Sequence, residues 1–171
     1  MKKNIFLLLL AVLVLAACQP KPEAEPEAVD LDQVKSEVNA SIDQFYDAWK
    51  AMDIEPLENM LADWGLYVGT DPKESWNKEE VVALWKDYFT DTTATTELTS
   101  ISREINVSPC GLLAVAVCQD TYPGWSPNIP LRQTFYLVKM EDKWLIHFIN
   151  WSFVARNEDV GVLNQALMSE E

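Results

Sequence analysis

The sequence predicts an α+β fold, with helices first and a run of antiparallel strands after. Two patterns carry that prediction. Between residues 31 and 88 apolar residues return every three or four positions, the period of helices with one buried face. After Thr90 the chain turns threonine-rich and alternating, punctuated by turn residues, which is the pattern of strands. Helices and strands kept apart along the chain mark α+β rather than a parallel α/β sheet. Size sets the third bound: the 171 residues, less a leader, leave roughly 150, enough for one domain with a proper core.

The chain starts with Lys2 and Lys3, an apolar stretch from Ile5 to Leu15, and then Leu15-Ala16-Ala17-Cys18. A basic start, a short apolar run and small residues before a cleavage point make a secretory signal, and the run is too short to span a bilayer comfortably. The segment resembles the lipobox of bacterial lipoproteins. That resemblance implies cleavage after residue 17, lipidation of Cys18 and anchoring to the lipid bilayer of a bacterial cell envelope. Gln19 follows the cysteine where an aspartate commonly marks inner-membrane retention. In a Gram-negative source the resemblance therefore implies the outer membrane, facing the periplasm. Residues 18–29 are rich in proline and glutamate and form an extended tether with nothing to build a core. The folded domain is expected over residues 30–171.

Leu31, Val34, Val38, Ile42, Phe45, Trp49 and Met52 make the stripe of a first helix, and Asp30 with Gln33 resembles a capping box. Ile54, Leu57, Met60 and Leu61 suggest a second, short helix with Asp53 as cap and Pro56 in its first turn. Leu66 to Val68 reads as a short strand. Asn77 with Glu80 opens a third helix whose apolar face is Val81, Leu84, Trp85 and Tyr88. Residues 93–107 read as a long strand, Ser108 to Gly111 as a turn, and Leu112 to Tyr122 as a second strand. A loop with three prolines is expected from Pro123 to Pro130. Arg132 to Met140 and Lys143 to Phe153 pair as a hairpin around Glu141-Asp142, and residues 158–168 suggest a short terminal helix.

Charge excludes one class of partner. The formal charge is -14, and losing Lys2 and Lys3 takes it to about -16, so nucleic acid is repelled and no basic patch interleaved with aromatics offsets that. Cys110 and Cys118 are the cysteines left to the domain. If Cys118 lies in the strand after Cys110, roughly 25 Å separates them, beyond bridging distance, and Cys118 suits the core. One histidine, His147, and no cysteine pair at ligand spacing speak against a structural zinc site; no metal and no cofactor is implied. Nucleophile elbows, phosphate-binding glycine loops and dinucleotide fingerprints are missing.

The order of elements resembles the nuclear transport factor 2-like superfamily, with its SnoaL-like and ketosteroid isomerase-like domains. Gly69-Thr70-Asp71-Pro72-Lys73-Glu74-Ser75-Trp76 is similar to the Gly-Thr-Asp-Pro segment of one SnoaL-like branch, and the run from Trp144 to Ser152 is similar to that branch's last strand. The resemblance implies a curved antiparallel sheet wrapped around helices, a cone-shaped pocket, and dimers formed through the outer sheet face. In the last strand the branch places alternating histidines after the tryptophan. Here those positions hold Phe148 and Asn150, while Ser152 matches and His147 falls on the other face by alternation.

On strict alternation Trp144, Ile146, Phe148, Asn150 and Ser152 share one face of the last strand, and Arg132, Thr134, Tyr136 and Val138 share one face of its neighbour. With Trp76, these faces would line an aromatic pocket with a few polar groups, as small-molecule sites do. Core filling is the alternative for each aromatic. Asp71 and Glu74 are candidate catalytic bases, since a carboxylate beside an apolar pocket can be tuned to move a proton; a turn role for Asp71-Pro72 is the competing reading. Asp120 alternates with Cys118 and Tyr122 and either approaches the pocket or sits exposed or ion-paired. Arg132 would pair with a buried carboxylate or anchor an anion. His147, Ile149, Trp151 and Phe153 form the expected outer strip for a homodimer.

These residues support two readings of function. In the first, a membrane-anchored envelope lipoprotein binds a small apolar or weakly polar molecule in an aromatic pocket. In the second, an isomerase, hydratase or cyclase uses Asp71 or Glu74 as base and Asn150 or Tyr136 to polarise a carbonyl. An envelope interaction protein with a closed pocket is a third.

Overall fold

The structure is a computed structural model that describes residues 28–168. The signal segment 1–17, Cys18 and the tether as far as residue 27 lie outside the described residues, as do residues 169–171. Helix α1 spans Leu31–Ala51 and α2 spans Ile54–Met60; strands β1, Leu61–Val68, and β2, Ser75–Trp76, follow, then α3, Lys78–Thr90. The second half is β3, Thr99–Val107; β4, Leu113–Tyr122; β5, Ser126–Met140; and β6, Lys143–Phe153. A 3-10 turn at Asn157–Asp159 leads into α4, Val160–Met168.

The helix starts follow from their caps. Asp30 Oδ1 accepts the N–H groups of Asp32 and Gln33, but the Gln33 side chain turns forward to Glu37, so only half of the expected capping box forms. At α3 the box is complete: Asn77 accepts from the Glu80 N–H and Glu80 accepts from the Asn77 N–H. Helix α1 ends at Met52, which takes the left-handed conformation at φ 53.

The six strands form one curved, open sheet in the order β2-β1-β6-β5-β4-β3. Every pairing is antiparallel except β1 with β6, which run parallel. The predicted hairpin is present: Met140 pairs with Lys143 across Glu141-Asp142, with Glu141 at φ 55. The core lies between the helices and the inner sheet face. Val38, Ile42 and Phe45 of α1 meet Phe135, Leu137, Ile146 and Ile149, all buried. The Phe45 and Phe135 rings meet edge-on at 5.3 Å.

Three boundaries differ from expectation. Leu61 opens β1 instead of closing a helix, and its side chain is buried. Residues 91–98 precede the strand expected from 93, because Asp91 holds the Thr93 N–H and hydroxyl and Tyr88 holds Thr95. Finally, β5 starts at Ser126, inside the expected proline loop. Its Pro127 is exposed and Pro130 half-buried, at the strand's outer end where missing donors cost little.

Candidate functional site

A cavity of about 250 Å³ opens between α1, α3 and the inner face of the sheet. Nine of its wall residues are aromatic. Helix α1 contributes Phe45, Tyr46 and Trp49, and α3 contributes Trp85 and Tyr88 with Leu84. The sheet supplies Tyr122, Leu131, Gln133 and Trp151, and the β1–β2 loop supplies Gly69, Thr70 and Glu74, continued by Trp76. Trp85 stands near-perpendicular to both Trp49 and Trp151, with centroids 6.0 and 6.3 Å away, and Trp49 stacks on Tyr88 at 5.8 Å. Such edge-to-face and offset pairs fix the rings as walls.

Behind those walls lies a buried polar network. Asp120 is wholly buried; its Oδ2 accepts the Tyr46 hydroxyl at 2.7 Å and the Gln133 amide at 3.0 Å. Gln133 also donates to the Tyr122 hydroxyl at 2.7 Å and accepts the Trp151 indole N–H at 3.0 Å. Burial, reinforced by the neighbouring Cys118 and Asp120, drives the Tyr46 pKa far up, and burial with Asp120 does the same to Tyr122. Both hydroxyls therefore stay protonated. Asp120 Oδ1 and Trp49 Nε1 are buried and find no partner among the described residues.

The sequence-predicted site residues divide between two faces. Trp76 and Glu74 line the cavity. Asp71 is exposed and belongs to the turn: its Oδ1 accepts the Lys73 N–H, its own N–H donates to Glu74 Oε2, and its carbonyl accepts the Glu74 N–H. Gly69 is required there, because a Cβ would collide with the Glu74 side chain.

Arg132, Tyr136, Phe148, Asn150 and Ser152 occupy the opposite, outer face, which corrects their expected place in the pocket wall. On β5 the buried inward residues are Leu131, Gln133, Phe135 and Leu137, the other parity. On β6 the cause is a bulge. Tyr136 pairs with Phe148 but Leu137 pairs with Ile146, leaving His147 as an extra residue. Trp144 and Ile146 point inward as expected; past the bulge the phase inverts, so Ile149 and Trp151 turn inward. The expected outer strip loses those two, and Phe153 sits against Trp125 of the cavity wall at 5.4 Å. His147 does face outward, near the rings of Trp64 and Tyr136.

Sequence reasoning missed Gln133, Tyr122 and Trp151 as site residues. Asp120 alternating with two small or aromatic residues was the one available signal for the network. Cys110 and Cys118 are both free, the second buried as expected for a core residue. Among the described residues no three His, Cys, Asp or Glu side chains stand together as metal ligands.

The model of the SnoaL-like domain family matches residues 38–156. The chain belongs to the SnoaL-like domain family. The match takes in α1 through β6, the elements that build the cavity. Solved structures repeat this SnoaL-like domain's fold. A nuclear transport factor 2-like protein of unknown function from Pseudomonas putida superposes with a TM-score of 0.63 at 17% identity, covering 77% of this chain and 93% of that one. A protein with unknown function from Pectobacterium atrosepticum gives 0.62 at 19%, covering 75% and 100%. A cystatin-like fold protein from Burkholderia xenovorans gives 0.61 at 15%, covering 72% and 94%. No curated protein matches the SnoaL-like chain significantly. At these identities the likeness is one of fold, and the site argues for itself.

Proposed function

We propose that this protein is a lipid-anchored envelope protein whose SnoaL-like domain binds a small apolar or weakly polar molecule. The observation that carries the reading is the open cavity of about 250 Å³ walled by nine aromatic residues. Its size falls near the lower end of small-molecule sites, about 300–1,000 Å³, and suits an occupant of one or two rings. The binding residues are then Trp49, Trp76, Trp85, Tyr122 and Trp151 rather than the outer-face set. Native mass spectrometry of the purified protein tests it: a discrete small-molecule adduct, lost on Trp85→Ala in a folded variant, is the expected result. The anchor rests on the lipobox-like Leu15 to Cys18. A Cys18→Ser variant is expected to leave the membrane fraction and to lose incorporation of a labelled fatty acid.

One observation favours the enzymatic alternative. Glu74 brings a carboxylate to an apolar wall, and only its Oε2 is engaged among the described residues. If an isomerase, hydratase or cyclase substrate is found, Glu74→Gln is expected to abolish turnover and Asp71→Asn to spare it.

We also infer a homodimer through the outer sheet face. Trp64 and Leu66 are 54% and 46% exposed, beside Phe148 and Tyr136, and His147 Nδ1 is buried there without a partner among the described residues. An apolar patch with an unsatisfied imidazole on an acidic protein is the chemistry of a covered surface.

A further inference from the structure

The cavity's hydrogen-bonding polarity can be read from the buried network. Asp120 Oδ2 takes one Gln133 amide proton, and Gln133 Oε1 takes the Trp151 N–H. Turning the Gln133 amide round would set oxygen against oxygen and N–H against N–H, so its orientation is fixed. Its second proton must then go to Tyr122 Oη, which acts as acceptor. The Tyr122 proton is left without an acceptor among the described residues, and Tyr122 forms part of the cavity wall. Trp49, also in the wall, holds a buried indole N–H with no acceptor. An indole N–H can only donate, and a buried unpaired donor is costly. The wall thus offers two neutral donors where α1 meets the end of β4.

Charge narrows the ligand further. Among the described residues no lysine, arginine or histidine lines the cavity. Glu74 stands on its β1–β2 side, with β6 and β5 between that edge and β4, and Asp120 lies behind Tyr46 and Gln133. An anionic acceptor would meet two carboxyl side chains and no cation. We propose that the ligand is an uncharged one- or two-ring molecule bearing a carbonyl-type oxygen, and that Tyr122 O–H and Trp49 Nε1–H hold this oxygen. The inference rests on the binding reading above and specifies its ligand class.

Tryptophan-fluorescence titration of the purified protein with three matched probes tests it. 1-Tetralone carries the acceptor, tetralin lacks it, and 1-naphthoate carries it as an anion. The expected result is about tenfold tighter binding of 1-tetralone than of tetralin, with 1-naphthoate weaker than both. Tyr122→Phe is expected to weaken 1-tetralone by about fivefold and to leave tetralin unchanged, which also shows that the variant is folded. Equal affinity of wild-type protein for tetralone and tetralin, or preference for naphthoate, overturns the ligand class while leaving the aromatic binding site standing. Failure of all three probes, with the protein folded, overturns the binding reading itself.

Discussion

Asp120 shows how much one side chain can organise. It is wholly buried and receives both the Tyr46 hydroxyl and the Gln133 amide, and Gln133 in turn orients Tyr122 and Trp151 of the cavity wall. Removing it strands two buried donors, each worth about 1–3 kcal/mol when unpaired. Asp120→Ala is expected to lower stability by about 2–4 kcal/mol, read as a shifted urea midpoint. Glu37 makes a smaller, pH-dependent contribution. The Lys139 ammonium at 2.6 Å and the Trp144 N–H at 3.3 Å hold its pKa below the usual 4.5. A folded-state pKa below the unfolded one stabilises above the unfolded value, and that stability is lost as pH falls through the folded value. The Glu37 carboxyl is largely solvated, so at pH 7 the Glu37→Gln deficit is expected to be under about 1 kcal/mol. It should vanish in denaturation curves taken well below pH 4.5.

At the scale of the element, the β6 bulge decides which side chains meet the cavity. His147 is the inserted residue, and the strand's inward set changes phase across it. Its position matters more than its chemistry. Deleting residue 147 is expected to swing Ile149 and Trp151 out and Phe148 and Asn150 in, and the chain should lose cooperative unfolding by circular dichroism. His147→Ala keeps the bulge and should cost less than about 1 kcal/mol. The caps behave as their residues imply. Asn77→Ala removes the side-chain half of the α3 box and is expected to cost about 1 kcal/mol in the same assay. These cap motifs were legible in the sequence because they depend on neighbours within four residues. The bulge was not, because it exists only in the register between β5 and β6.

The whole molecule combines a helix-filled sheet with an apolar patch on its outer face, and the patch is where oligomeric state is tested. Leu66 pairs with Phe148 across β1 and β6, so Leu66→Glu puts a charge at the centre of the proposed interface. Light scattering at micromolar concentration should show a dimer for the unmodified protein and a monomer for Leu66→Glu, with unchanged circular dichroism. A monomer in both cases would sink the interface. The helices-then-strands order and the Gly69 to Trp76 segment were enough to place the chain in its family, which the match over residues 38–156 establishes. The site was half legible: Glu74 and Trp76 stand in the cavity, while the five strand residues assigned to it stand behind the sheet.

The sequence by itself determined which segments are helices and strands, where α1 and α3 start, the closing hairpin, and the wealth of aromatics that any cavity here would have. Those are consequences of local sterics, capping and hydrophobic period, and they need no partner segment. Only the tertiary structure decided which face of β5 and β6 looks inward, and therefore that Gln133 and Trp151, not Tyr136 and Asn150, meet the cavity. Alternation conveys relative facing along one strand, but absolute facing depends on the helices covering it, and a single inserted residue reverses it. Asp120's burial was likewise settled by Tyr46, 74 positions earlier in the chain, whose hydroxyl makes a buried acid tolerable.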